Sequence, residues 1–296
     1  MRSGFNKAVS GAVLAAVLLT AASLDRLTAQ GEVGVERLAF RFAAMTAVTG
    51  YEQAMGDSLL ALLPGSTRDR HGDVTLLLGH GVPRRLVACA LDEAGYVVGG
   101  ITDAGYLTLR RVGARVAYPL FDQQLEGQRV TVFAKGAVPG VVAVKSVHLT
   151  RGRGGGPEAP FTVDNAYVDV GATTRAEVEA LGIRVLATVS LAKRPIVYGD
   201  HLLAAPAAGH RATCAALAAA AAAQPHVRGT VVVAFTVQGL YTTNAGLGAV
   251  KALQGPFDEI KLPSVRARYS DTAIETVALA DAVVLAQQLV SWMEGR

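Results

Sequence analysis

His210-Arg-Ala-Thr-Cys-Ala-Ala-Leu-Ala-Ala-Ala-Ala-Ala-Ala223 reads as a helix, and Thr230-Val-Val-Val-Ala-Phe-Thr-Val237 after it reads as a buried strand. Alanine and leucine are the best helix formers. A short unbroken run of β-branched residues has the texture of a strand covered on both faces. The same alternation continues outward. Asn244 to Leu253 is a helix, Glu259 to Tyr269 a strand and Ala280 to Met293 a helix. Upstream, Val35 to Val48 has apolar residues at helical spacing, and Thr49-Gly-Tyr-Glu52 has the capping-box form that would open a second helix through Leu63. Val74 to Leu78 and Leu86 to Leu91 are short strands. This alternation predicts an α/β fold: a three-layer, phosphorylase/hydrolase-like sandwich around a mostly parallel central sheet.

Between Gly95 and His148 the texture changes to short β-rich runs punctuated by Gly and Pro. Tyr96 to Ile101 and Tyr106 to Arg111 form a hairpin through Thr102-Asp-Ala-Gly105, and Arg129 to Phe133 and Val141 to Val144 continue the pattern. Residues 95–160 therefore predict a small β-barrel-like domain inserted between two halves, 31–94 and 161–296, of the α/β domain. Arg151-Gly-Arg-Gly-Gly-Gly156 reads as a loop. Ala166 to Val170 is a strand, and Thr174-Arg-Ala-Glu177 is a second capping box.

Residues 1–30 carry Arg2 and Lys7, then an apolar run from Ala8 to Leu24 and a small-residue cleavage region at Leu27-Thr-Ala-Gln30. That pattern predicts a cleaved signal peptide, with an uncleaved single-span anchor as the alternative, so the expectation is an exported protein, periplasmic or extracellular, with no membrane attachment after cleavage. Setting aside Arg2, Lys7, Arg26 and Asp25 leaves 25 basic and 23 acidic residues. Such a balance argues against a nucleic-acid partner. Cys89 and Cys214 are the two cysteines. In an exported chain they either pair or remain two buried thiols. No zinc-finger spacing exists.

Several segments, in order along the chain, resemble the glutamyl-aminopeptidase and deblocking-aminopeptidase family, whose members build TET-type assemblies from co-catalytic metallo-aminopeptidase subunits. Thr49-Gly-Tyr-Glu52 is similar to that family's S-G-Y-E, and Ala88-Cys-Ala-Leu-Asp-Glu-Ala-Gly-Tyr96 to its A-A-H-M-D-E-I-G-F. Val138-Pro-Gly-Val141 with Lys145 and His148 resembles I-P-G-V-I-G-x-K-x-x-H. Tyr167-Val-Asp-Val-Gly-Ala172 resembles Y-I-D-I-G-A, and Arg268-Tyr269 with Glu275-Thr-Val277 resembles R-Y-M-H-S-P-V-E-T.

The resemblance implies two metal ions held by His and carboxylate ligands, with a carboxylate base acting on metal-bound water. The side chains for that chemistry are replaced here. The family's strand His falls on Ala90, while its orienting Asp survives as Asp92. The metal-bridging Asp falls on Gly209, followed by His210. The general base falls on Gly239, the next ligand on Leu240 and the closing His on Asp271. The block that carries the remaining Asp ligand is absent, since Gln254-Gly-Pro-Phe257 runs almost directly into the last strand.

The expectation is a degenerate relative with no metal cofactor and no catalytic residue, acting as a peptide-binding or assembly subunit. Its partners would be further copies of itself, joined through the inserted β domain, and a possible peptide ligand. The alternative is an active exported aminopeptidase with zinc or cobalt on the residual donors Asp92, His210 and Asp271. With the block gone, Glu259 to Tyr269 is expected to pair directly beside Thr230 to Val237.

Overall fold

The computed structural model describes residues 34–113, 119–144, 161–241 and 244–296. The expected signal peptide, the Lys145 and His148 part of the β-domain motif, and the Gly-rich loop at 151–156 lie outside the described residues. Among the described residues, no helix is long and apolar enough to cross a membrane.

The chain starts with α1 (Val35–Ala43) and α2 (Gln53–Leu62), then enters a five-stranded sheet through β1 (Thr67–Arg68), β2 (Val74–Gly79) and β3 (Arg84–Ala90). Helix α1 forms because Val35, Leu38, Ala39, Phe42 and Ala43 recur at helical spacing and are all buried. Thr49 and Glu52 do not make the expected capping box. Neither side chain caps α2, whose N-cap is Glu52 with no side-chain bond. Both side chains are drawn inward to the site described below, where buried groups compete more strongly than a helix end.

The next strands leave the sheet and close a barrel. They are β4 (Gly95–Ile101), β5 (Leu107–Val112), β6 (Arg129–Phe133), β7 (Ala137–Val142), β8 (Tyr167–Asp169) and β9 (Thr188–Leu191), in the order β4-β5-β8-β7-β6-β9. Gly105 sits at φ +82° in the β4–β5 turn, a conformation natural to glycine. Tyr96, Val98, Leu107, Leu109, Val130 and Val168 fill the interior. The inserted domain therefore does not end at residue 160. Only four of the six strands that close the barrel lie before that point, so β8 and β9 are needed to remove its open edges. Between β8 and β9, α3 (Arg175–Ala180) begins as expected, with Thr174 accepting a hydrogen bond from the Glu177 N–H, and packs Val178 into the barrel core.

After the barrel, β10 (Ile196–Tyr198), β11 (Leu202–Ala205) and β14 (Glu275–Ala278) form a small antiparallel sheet. The chain continues through α4 (Ala208–Ala222), β12 (Thr230–Thr236), α5 (Ala245–Gln254), β13 (Glu259–Lys261) and, after β14, α6 (Leu279–Met293). The main sheet has the order β1-β2-β12-β3-β13. Strands β12, β3 and β13 run parallel, and β2 and β1 join antiparallel on one side. Val87, Cys89, Val231 and Val233 face α4, and Leu86, Ala88, Val232 and Ala234 face α5, giving three layers. Helix α4 is buried almost throughout because it is wedged between α1, α6 and the sheet. Its alanines allow that close approach.

Strand β13 is shorter than expected and does not pair with β12. It lies beside β3, with Glu259, Ile260 and Lys261 in register with Arg85, Leu86 and Val87. Strand β12 already has β2 on one edge and β3 on the other, so the outer edge of β3 is the one left for β13.

Cys89 and Cys214 form a disulfide that joins β3 to α4, with Cα atoms 5.6 Å apart and a sequence separation of 125. Cross-linking so large a loop restricts the unfolded chain strongly. Reduction, or the Cys89→Ala/Cys214→Ala double substitution, is expected to lower unfolding stability by about 2–4 kcal/mol. Chemical denaturation with and without reductant measures this, and an unchanged midpoint would contradict it.

Candidate functional site

The carboxyl end of β12 runs into the turn Val237-Gln238-Gly239-Leu240, and carboxylates hold all four of its backbone N–H groups. Asp73 Oδ1 accepts from Val237 N at 2.9 Å. Glu52 Oε1 accepts from Gln238 N at 2.8 Å and from Gly50 N at 2.9 Å. Asp92 Oδ1 accepts from Gly239 N at 2.9 Å, and its Oδ2 accepts from Leu240 N at 2.8 Å and from the Thr49 hydroxyl at 2.7 Å. Gln238 occupies the left-handed region at φ 55°, which is costly for a residue with a Cβ. The carboxylates hold that turn in place.

Burial pushes the Glu52 carboxyl above its usual range and raises that of Asp73 to about 6. Asp69 Oδ2, His71 Nδ1 and Asp73 Oδ2 are buried without a hydrogen-bond partner, the last two 3.5 Å apart.

Glu93 points the other way along the chain from Asp92, as adjacent residues of an extended segment do. It meets Lys193, just past β9, and Arg211 of α4, whose Nη2 is 3.0 Å from Glu93 Oε2. All three side chains are buried. Burial alone would raise the Glu93 carboxyl, but the Lys193 and Arg211 cations hold it below its usual range. Burial lowers the Lys193 amine despite the opposing pull of Glu93. Arg211 also donates to the Leu91 carbonyl. This cluster ties the barrel to the α/β domain. No local motif marks Lys193, because it becomes notable only when β9 closes the barrel.

The positions aligned with the family's metal site come together at the carboxyl ends of β3 and β12, where parallel sheets place their binding crevices. Ala90, Gly209, His210 and Asp271 line a cavity of about 400 Å³. Asp92, Leu240, His210 and Asp271 line an adjoining one of about 80 Å³. Gly239 borders Ala90, since a Cβ on it would lie 3.1 Å from the Ala90 Cβ.

A pair of metal ions does not fit these residues. Ala90, Gly209, Gly239 and Leu240 offer no side-chain donor. Asp92 has three of a carboxylate's about four acceptor sites taken by protein donors. A Cβ on Gly239 would meet Asp92 Oδ1 at 2.7 Å, so a base-bearing side chain cannot be restored there without displacing Asp92. His210 is exposed, with Nδ1 3.4 Å from the Asp92 backbone oxygen, and Asp271 is exposed at φ 61°. Among the described residues, no three of His, Cys, Asp and Glu form a group able to hold a metal ion.

Glu275, which the sequence marks only as part of a family-like motif, has a positioning role in the structure. Its Oε2 accepts from Gly209 N at 3.0 Å and its Oε1 from Asp271 N at 3.0 Å, fixing the start of α4 and the loop before β14.

Comparison with known proteins gives these features a context. A family model described as M42 glutamyl aminopeptidase matches residues 74–240. The chain is 29% identical over 191 residues to the Escherichia coli protein SgcX, covering 62% of this chain and 49% of that protein. It is 30% identical over 142 residues to the lysyl aminopeptidase of Pyrococcus furiosus, covering 47% and 38% respectively. The chain thus spans about half the length, or less, of these relatives. Among solved structures, an aminopeptidase from Desulfurococcus kamchatkensis superposes with a TM-score of 0.74 at 17% identity, covering 88% of this chain and 95% of that one. The TET1 peptidase of Pyrococcus horikoshii gives 0.70 at 19% identity, with 86% and 97% covered. These two likenesses show a shared fold.

Two isosteric substitutions should separate the roles of the turn carboxylates. Asp92→Asn places an NH₂ group against N–H or hydroxyl donors and is expected to cost about 2–3 kcal/mol. Asp73→Asn still accepts from Val237 through its amide oxygen, and its NH₂ can serve the unpartnered Asp69 Oδ2 or His71 Nδ1. The raised Asp73 pKa means that the folded state binds more protons than the unfolded state between about pH 4 and 6, so this group makes stability fall as pH rises through that window. Asp73→Asn should remove that slope and raise stability at pH 7 by on the order of 1–2 kcal/mol. Thermal melts of both variants from pH 4 to 8 check this, and a less stable Asp73→Asn protein at pH 7 would refute it.

Proposed function

Given that the chain belongs to the M42 glutamyl aminopeptidase family, we propose that it is an exported, non-catalytic member that acts as a peptide-binding or assembly subunit. The observation that carries this reading is the fate of Asp92. In the pattern the chain resembles, this side chain orients a metal-binding His. Here Ala90 replaces that His, and Asp92 binds the Gly239 and Leu240 amides where the base and a ligand would stand.

A hydrolase of this kind must activate water and stabilise the tetrahedral oxyanion. The site retains the cavity and the fold that frames it, but Gly239 stands at the position of the family's base, and Asp92 and Glu275 are engaged by backbone N–H groups. What remains is a concave pocket at the sheet's carboxyl end, suited to holding a ligand. Export is supported by the N-terminal pattern and by the Cys89–Cys214 bridge, which is more at home in an oxidising compartment. The Pyrococcus horikoshii TET1 peptidase assembles into a tetrahedron or an octahedral shell. Self-association of this chain through its barrel is part of the proposal, and the shared fold supports it only in general outline.

The purified protein is expected to hold no stoichiometric zinc or cobalt after metal loading and to leave a panel of aminoacyl-anilides intact. Ala90→His alone should restore nothing, because the other ligand positions and the base stay empty. Elemental analysis beside the anilide assays tests this. Tight metal binding that His210→Ala abolishes would overturn the proposal in favour of an active enzyme on Asp92, His210 and Asp271.

A further inference from the structure

The main sheet ends at β13, and among the described residues nothing pairs with its outer edge. The Asp258 N–H donates to the Arg84 carbonyl at 2.8 Å, so Asp258 and Ile260 face β3. By the alternation of a strand, the N–H and C=O groups of Glu259 and Lys261 face outward. The flanking surface is apolar, with Ile260 40%, Leu262 58% and Leu253 55% exposed. An open edge beside exposed apolar side chains is a template for another strand.

The edge also specifies its occupant. We propose that β13 pairs with β13 of a second copy of this chain, antiparallel about a two-fold axis through Ile260, joining two five-stranded sheets into one. In that register Glu259 stands opposite Lys261 of the second copy, and Lys261 opposite its Glu259. Both pairs have their outward N–H and C=O groups aligned to exchange hydrogen bonds. A two-fold centred on Glu259 would oppose two glutamates, and one centred on Lys261 would oppose two lysines, and like charges directly opposed are unfavourable.

The side chains are already placed for this register. Trp292 Nε1 donates to Glu259 Oε1 at 2.7 Å, and Lys261 Nζ lies 5.6 Å from the Trp292 ring centroid, so both charges stand on the α6 face of the sheet. Ile260 stands on the α5 face with its register partner Leu86. The charged pairs and the Ile260–Ile260 contact therefore occupy opposite faces. Pro263 has no N–H and limits the ladder to a few residues. Such a contact falls at the small end of interface sizes, below about 1,200 Å², so the dimer is weak and concentration-dependent.

Residue-resolved hydrogen exchange of the full chain, at low and high protein concentration, tests the contact without any substitution. The Glu259 and Lys261 amides should be protected only at high concentration. In sedimentation, Lys261→Glu should weaken dimerisation about tenfold by opposing like charges twice. The Glu259→Lys/Lys261→Glu exchange should restore it. Equal exchange of the two amides at every concentration, or no rescue by the double exchange, overturns the proposal. An assembly that persists while these amides exchange freely assigns self-association to the barrel and overturns this contact alone.

Discussion

Three carboxylates, Asp73, Glu52 and Asp92, hold the four consecutive amides of Val237–Leu240, and the shape of the site follows from that arrangement. A run of inward-pointing N–H groups is a concentration of positive dipole that anions stabilise. The three acids come from separate parts of the chain: the end of the loop after α1, the start of β2 and the end of β3. The turn therefore locks these elements to the carboxyl end of β12. Charge-assisted bonds of this kind are stronger than neutral ones, and removing one partner leaves the others exposed to the cost of burial.

The same lock underlies the proposal that this member is non-catalytic. A glycine at 239 lets its N–H approach Asp92 within hydrogen-bond distance while its Cα side faces Ala90. Small residues at 90, 209 and 239 offer no side-chain donor but keep the backbone framework intact. The second polar centre, Glu93 with Lys193 and Arg211, secures the barrel to the α/β domain at the point where the chain leaves and re-enters it. Removing Glu93 would leave two buried cations, Lys193 and Arg211, without an opposing charge.

Much of the architecture was legible from periodicity. The Ala-rich helix, the valine-rich strand after it and the hairpin at Tyr96–Arg111 each have one local solution. The barrel's far limit was not legible, because β8 and β9 are only three and four residues long and their role is to close the ring. The neighbour of β13 differs from the sequence expectation for a related reason. Pairing depends on which strand edge is free, and that is known only when every other strand is placed. Thr49 and Glu52 satisfied a local capping rule, yet buried partners distant in sequence claimed both side chains.

The sequence alone determined that this is an α/β chain of the M42 kind and that Ala90, Gly209, Gly239 and Leu240 cannot be metal ligands, because those are properties of residue identity and order. The tertiary structure alone decided that Cys89 and Cys214 pair, that Glu93 lies between two buried cations, and that Asp92 is tied to a turn 147 residues away. Each of those facts rests on distances of a few ångströms between residues remote in the chain. Hydrogen bonds and ion pairs act only at such range, and no local pattern encodes it.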